Sequence, residues 1–186
     1  LSGASLDESL ERARELETRN GYTFVHPFDD PAIIAGQGTV GLEILEQVPD
    51  VEAIVTPIGG GGLISGGATA VNSHRPEVQI LGVQSEAAPS MKRSFDAGHW
   101  QEADVGTTIA EGIALKRPGK LTQPIIQALV DGIELVSESE IEAAVYELLE
   151  KGRTLTEGAG AAGYCALRQC RFPQLEGKKV VVILCG

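Results

Sequence analysis

The passage Val51-Glu52-Ala53-Ile54-Val55-Thr56-Pro57-Ile58, followed at once by Gly59-Gly60-Gly61-Gly62, constrains this sequence more than any other. Its first part is a short run, apolar at nearly every position rather than at every second one. Such a strand is buried on both faces, as in parallel sheets covered by helices. A small-residue helix from Leu63 to about Ser73 is expected next, then the strand Gln79–Glu86. Strand, helix, strand in that order predicts a βαβ unit.

The alternation runs through the chain. Leu6, Leu10, Ala13 and Leu16 recur at three- and four-residue steps among charges, predicting an amphipathic helix that stops near Asn20-Gly21. Tyr22–His26 predicts a short strand. Asp29-Asp30-Pro31 supplies an N-cap and a proline at the first helical position, for a helix to about Val48. Between Ala87 and Lys120 the periodicity dissolves, and long irregular segments tend to be functional. Beyond it we expect a helix over Leu121–Val130 and a strand over Ile133–Val136. A capping-box pattern, Ser137-Glu138-Ser139-Glu140, then opens a helix over Ile141–Lys151. A helix almost without side-chain bulk starts at Gly158, and Val180–Leu184 predicts a last strand. The expected fold is α/β, an open and mainly parallel sheet with helices on both faces. Its ligands would bind beyond the carboxyl ends of the strands.

Composition removes several function classes. Fifteen basic against 26 acidic side chains, a formal charge of −11, argue against a nucleic-acid partner. No apolar run reaches the roughly 18–20 residues of a membrane-spanning helix, so no membrane partner is expected. Cys165, Cys170 and Cys185 are too few for a disulfide scaffold and lack zinc spacing. Reduced thiols and a cytoplasmic setting follow. The opening Leu1-Ser2-Gly3-Ala4-Ser5 shows no charged-then-apolar pattern, so no signal peptide is expected, and Leu184-Cys185-Gly186 closes directly after an apolar strand. Both ends are expected to be cuts through a longer chain.

Gly59–Gly62 falls at the carboxyl end of a strand and ahead of a helix. Without Cβ atoms, successive backbone N–H groups can turn inward around an anion, and the helix dipole adds to their effect. A phosphate suits that geometry, although a tight turn with close packing would also use four glycines. No Lys-Ser/Thr pair follows, so this is not a Walker loop. A nicotinamide enzyme with Glu86 on a ribose hydroxyl is the rival, weakened by the imperfect Gly60-x-Gly62-x-x-Ser65 register.

Other residues carry blander expectations. His26, His74 and His99 lack ligand spacing and are expected to be solvated or at strand ends. Cys165 and Cys170 are expected to pack, Cys185 to be a small buried hydrophobe, and Lys116-Arg117 a solvated pair. Glu157–Ala162 alone signals close helix packing. No Gly-x-Ser-x-Gly elbow occurs.

Taken together, several segments resemble the pyridoxal-phosphate enzymes of the tryptophan-synthase-β fold type, within them the threonine dehydratase and serine racemase group. They are His26-Pro27-Phe28-Asp29-Asp30-Pro31, Ile34-Ala35-Gly36-Gln37-Gly38-Thr39, Pro57–Gly66, Gly82-Val83-Gln84-Ser85-Glu86, Ile109–Ala114 with Lys116–Gly119, Thr156–Ala161 and Leu184-Cys185-Gly186. The resemblance is collinear over practically the whole chain.

It implies that Gly59, Gly60, Gly61, Gly62 and Leu63 hold the cofactor phosphate through backbone N–H groups, and that Gly112 also touches the cofactor. The Cys185 thiol would face the pyridine nitrogen and leave it unprotonated, which suits β-elimination. The implied reaction is dehydration of L-threonine, and of L-serine, to 2-oxobutanoate or pyruvate and ammonia. Serine racemase, hydroxyaspartate dehydratase and a noncatalytic remnant that binds phosphate or a partner are the alternatives. The Schiff-base lysine is expected upstream, because Lys92, Lys116, Lys120, Lys151, Lys178 and Lys179 all lack its sequence context. No catalytic residue is therefore expected in these 186 residues. Residues 1–20 would end the small-domain region and residues 21–186 form the large domain. Glu86 and Ser90 match two positions of a cation site, monovalent or divalent, but Lys92 replaces the Asp of racemase-like members. Exposed apolar surface left where the missing part docks implies a homo-oligomer.

Overall fold

The computed structural model describes residue 3 and residues 6–185, so the expectations placed on Leu1, Ser2, Ala4, Ser5 and Gly186 lie outside the described residues, as does the Leu6 side chain. Four parallel strands form one sheet in the order β3-β2-β1-β4: β1 is Ala53–Pro57, β2 Gln79–Ser85, β3 Gly132–Val136 and β4 Val180–Val182. Ala53 pairs with Gln79 on one side and with Val180 on the other, while Leu81 pairs with Gly132. The chain thus moves outward from β1 to β3 and returns to the far side of β1, so the strand order reverses at β1/β4. Open α/β sheets bind their ligands beyond the carboxyl ends at such a reversal.

Helices cover both faces, as expected. Period-two alternation sends Ile54, Ile80 and Ile133 to one side, where they meet Ile64, Ala68 and Val71 of α3 (Gly62–His74), Met91 of α4 (Ser90–Ala97) and Ile126 of α5 (Thr122–Leu129). Ala53, Val55, Leu81, Val83 and Val136 point the other way. They meet Ile141, Ala144 and Leu148 of α6 (Glu138–Glu150) and the alanines of α7 (Gly158–Arg168). Each fully buried Val, Leu or Ile contributes about 1.5–3 kcal/mol. Two further helices precede the sheet, α1 (Leu6–Asn20) and α2 (Pro31–Gln47), and α2 packs on α3.

Local chemistry sets the boundaries. Asp30 Oδ1 accepts the N–H groups of Ala32 (2.8 Å) and Ile33 (3.3 Å), with Pro31 opening α2. The Ser137 N–H donates to Glu140 Oε2 at 2.8 Å, and this box starts α6 at Glu138 rather than Ile141.

Three expectations are corrected. Tyr22–His26 forms no strand, because among the described residues no neighbouring strand offers it a ladder. Phe24 is held by side chains instead: its N–H donates to Glu17 Oε1 at 3.1 Å and the Arg14 guanidinium stacks 3.8 Å over its ring. The segment Ala87–Lys120 contains α4 and a single 3-10 turn over Glu111–Ile113. Cys165 packs in the core, but Cys170 is exposed, because α7 ends at Arg168 and Cys170 adopts φ 51°. Among the described residues no helix is long and apolar enough to cross a membrane.

Candidate functional site

A cleft of about 1690 Å³ opens at the carboxyl edge of the sheet and brings Gly59, Gly60, Gly61, Gly62, Leu63, Gly112 and Cys185 together. It exceeds the ~300–1000 Å³ typical of a small-molecule pocket. The sheet delivers these residues from three directions: the glycines leave β1, Gly112 sits in the 3-10 turn, and Cys185 follows β4.

The close-packing explanation of the glycines holds for two of them in detail. A Cβ on Gly60 would overlap the ring carbons of Phe28. Gly61 has φ +94°, which side-chain-bearing residues avoid, and a Cβ there would stand 2.8 Å from Thr122 Oγ1 and Ile126 Cδ1. Packing does not, however, consume the polar groups. Gly61 occupies the N-cap of α3 with no side-chain cap. Among the described residues, the backbone N–H groups of Gly59, Gly60, Gly61, Gly62 and Leu63 meet no acceptor. Gly60–Gly62 are buried, and buried unpaired donors cost free energy. Five consecutive donors at a strand-to-helix turn, next to a helix N-terminus, make a donor set suited to a phosphate ester. The residues present therefore fit the phosphate of pyridoxal phosphate.

The turn is braced from the N-terminal side. His26 Nδ1 accepts the N–H groups of Asp29 (2.8 Å) and Phe28 (3.3 Å), which shapes the bend that lays Phe28 over Gly60 and Gly62. Burial lowers the His26 pKa, Asp29 and Asp30 act to raise it, and Arg14 to lower it. Asp29 then accepts from three consecutive amides, Lys120 (2.9 Å), Leu121 (2.8 Å) and Thr122 (3.3 Å). Thr122 Oγ1 donates to the Gly60 carbonyl at 2.6 Å. Sequence reasoning placed His26 among solvated residues and missed Phe28, Asp29 and Thr122; the His26–Pro31 motif was the available signal.

Just past the end of β4, burial raises the pKa of the half-buried Cys185 thiol, and Glu157 adds to the shift. The thiol is neutral near pH 7. Close packing of Glu157–Ala162, as expected, puts α7 here: a Cβ on Gly160 would overlap the Cys185 carbonyl. Glu138 ties the end of β2 to the segment before the 3-10 turn by accepting Ser85 Oγ (2.6 Å) and the Ile109 N–H (2.8 Å). Burial works to raise its pKa, yet bonds from Ser85, Ile109 and Thr108 hold it below the usual range.

Glu86 and Ser90 are not part of the cleft lining. Glu86 is exposed, and the buried Ser90 hydroxyl already donates to the Leu115 carbonyl at 2.8 Å. Among the described residues no three His, Cys, Asp or Glu side chains gather as a metal site. Lys116 and Lys120 line the cleft; Lys116 lies 3.9 Å from Glu102, which also pairs with Arg117 at 2.9 Å. His74 and His99 are exposed.

A model of the family described as pyridoxal-phosphate dependent enzyme matches residues 1–186. The chain is 48% identical over 186 residues to L-threonine ammonia-lyase of Geobacter sulfurreducens, covering 100% of this chain and 46% of that protein. It thus spans about half the length of the curated relatives it matches. Among solved structures, maize serine racemase superposes with a TM-score of 0.94 at 33% identity, covering 100% of this chain and 58% of that one. The processed form of threonine deaminase isoform 2 from Solanum lycopersicum gives 0.92 at 37% identity, covering 100% and 52%.

Proposed function

The chain belongs to the pyridoxal-phosphate dependent enzyme family, and from that premise we propose that the intact protein dehydrates L-threonine, and L-serine with it, to 2-oxobutanoate or pyruvate and ammonia. The observation that carries the proposal is the row of unpartnered N–H groups from Gly59 to Leu63, which shares one cleft with a neutral thiol. The 48% identity to an L-threonine ammonia-lyase supports the choice of reaction.

In this mechanism Gly59, Gly60, Gly61, Gly62 and Leu63 would hold the cofactor phosphate by their amides, and Gly112 would bound the ring from the side of the 3-10 turn. When bound, pyridoxal phosphate supplies an electron sink that acidifies the Cα–H bond of an amino acid. Cys185 would serve the ring nitrogen. A neutral thiol withholds a full positive charge from that nitrogen, which favours departure of a β-hydroxyl over long-lived charge on Cα. Ile113 and Leu115 would present apolar surface to the cleft beside the turn.

The reactive lysine we assign to the part of the protein outside these 186 residues. Residues 1–20 would then close the small-domain region and residues 21–186 form the large domain. A cytoplasmic homo-oligomer is the assembly we propose, and Glu86 with Ser90 stay candidates for a cation site. The likeness to maize serine racemase supports racemisation of serine as a second reading.

The test uses the intact protein with pyridoxal phosphate. Formation of 2-oxobutanoate from L-threonine is expected, whereas D-serine from L-serine without a 2-oxo acid would favour the second reading. Borohydride reduction and peptide mapping should place the pyridoxyl group on a lysine outside this chain. A label on Lys116 or Lys120, both in the cleft, would overturn that assignment.

A further inference from the structure

We propose that Thr122, itself held by Asp29, is a positioning residue that aims the Gly61 N–H at the anion; the proposal rests on the phosphate reading above. The Gly60 carbonyl accepts two bonds, from Thr122 Oγ1 at 2.6 Å and from the Gly119 N–H at 3.3 Å, so both its lone pairs are engaged. The Gly60–Gly61 peptide is trans, because no cis bond occurs among the described residues. In a trans peptide the carbonyl and the following N–H point to opposite sides. The Gly61 N–H therefore points away from Thr122. Gly61 lines the cleft and Thr122 does not.

The restraint matters because this peptide joins two glycines. With no Cβ on either side, and with Gly61 already at φ +94°, a flip of the Gly60–Gly61 peptide meets little intrinsic resistance. A flipped peptide would present a carbonyl oxygen where a phosphate needs a donor. Thr122 opposes that flip, and its own position is fixed twice. Its N–H reaches Asp29 Oδ1 (3.3 Å), and its carbonyl accepts Ser65 Oγ (3.4 Å) from the first turn of α3. Asp29 also receives the Lys120 and Leu121 amides, so one carboxylate locks the whole start of α5 against the turn.

The test compares Thr122→Val, Thr122→Ser and Asp29→Asn in the intact apoprotein, titrated with pyridoxal 5'-phosphate, with pyridoxal and with inorganic phosphate as competitor. We expect Thr122→Val to weaken pyridoxal 5'-phosphate and inorganic phosphate by roughly tenfold, as for loss of one bond to a charged group, and pyridoxal hardly at all. Thr122→Ser should restore the wild-type ratio, and Asp29→Asn should fall between. Equal losses for pyridoxal and its phosphate, or no loss with any probe, would overturn the positioning role. If wild-type protein itself failed to prefer pyridoxal 5'-phosphate over pyridoxal, the phosphate reading would fall, and this proposal with it.

Discussion

Gly160 of α7 lies so close to the backbone carbonyl of Cys185 that the two cannot accommodate a Cβ between them. The thiol wall of the cleft is therefore set by a helix that has no side chain at the point of contact. Gly160→Ala must push α7 or Cys185 outward. We expect a loss of about 1–3 kcal/mol in stability, as for overpacking, and weaker cofactor retention. Thermal unfolding and cofactor content after dialysis check both.

The Phe28–Gly60 contact predicts a coupled pair. Gly60→Ala alone sets a methyl against the Phe28 ring and should destabilise by a further ~1–3 kcal/mol. Phe28→Ala opens the same space. In the double variant the two losses should fall short of their sum, and strict additivity in a denaturant cycle would count against direct contact.

Thiol reactivity should rank by burial. Burial pushes the Cys165 thiol up to about 11, with Glu140 adding and Arg171 and Arg168 opposing. Cys170 is exposed. Under native conditions near pH 8, an aromatic disulfide reagent should label Cys170 first, Cys185 slowly and Cys165 only after unfolding. Mass spectrometry of early samples reads the order directly.

His26 ties stability to mild acid. Burial depresses its pKa, so the unfolded chain takes up the proton at a higher pH than the folded chain. Stability is full above the ordinary histidine range near 6.5 and falls as pH drops below it, since an Nδ1 that carries a proton cannot accept the Phe28 and Asp29 amides. The unfolding temperature should decline as pH falls below about 6.5, and His26→Asn should flatten that decline.

Much of the fold was legible because the strands are buried on both faces and the helices are amphipathic or small-residue, two periods that a sequence displays directly. The strand expected at Tyr22–His26 failed because a strand is a property of a pair, and its partner is absent from the local sequence. Helix α4 escaped notice in a segment without long periodicity, although Pro89 before it and Gly98 after it, at φ +72°, mark its ends. In the site, the glycines could be found because they are adjacent. Asp29 could not, because its partners lie more than ninety positions away, and Asp30 alone satisfied the capping signal.

The order β3-β2-β1-β4 has a bearing on how the cleft comes into being. The β1–β4 pairs, Ala53 with Val180 among them, join the most distant partners in the sheet's register. Ribosomal synthesis delivers β1, the glycine turn, Asp29 and Thr122 well before β4. The glycine turn and its Asp29–Thr122 brace can therefore form early, from contacts already made, while the Cys185 side of the cleft waits for the last strand to dock. If the glycine turn and Cys185 hold the cofactor as proposed, a nascent chain with only the turn in place would lack the Cys185 side of its site until that late folding event.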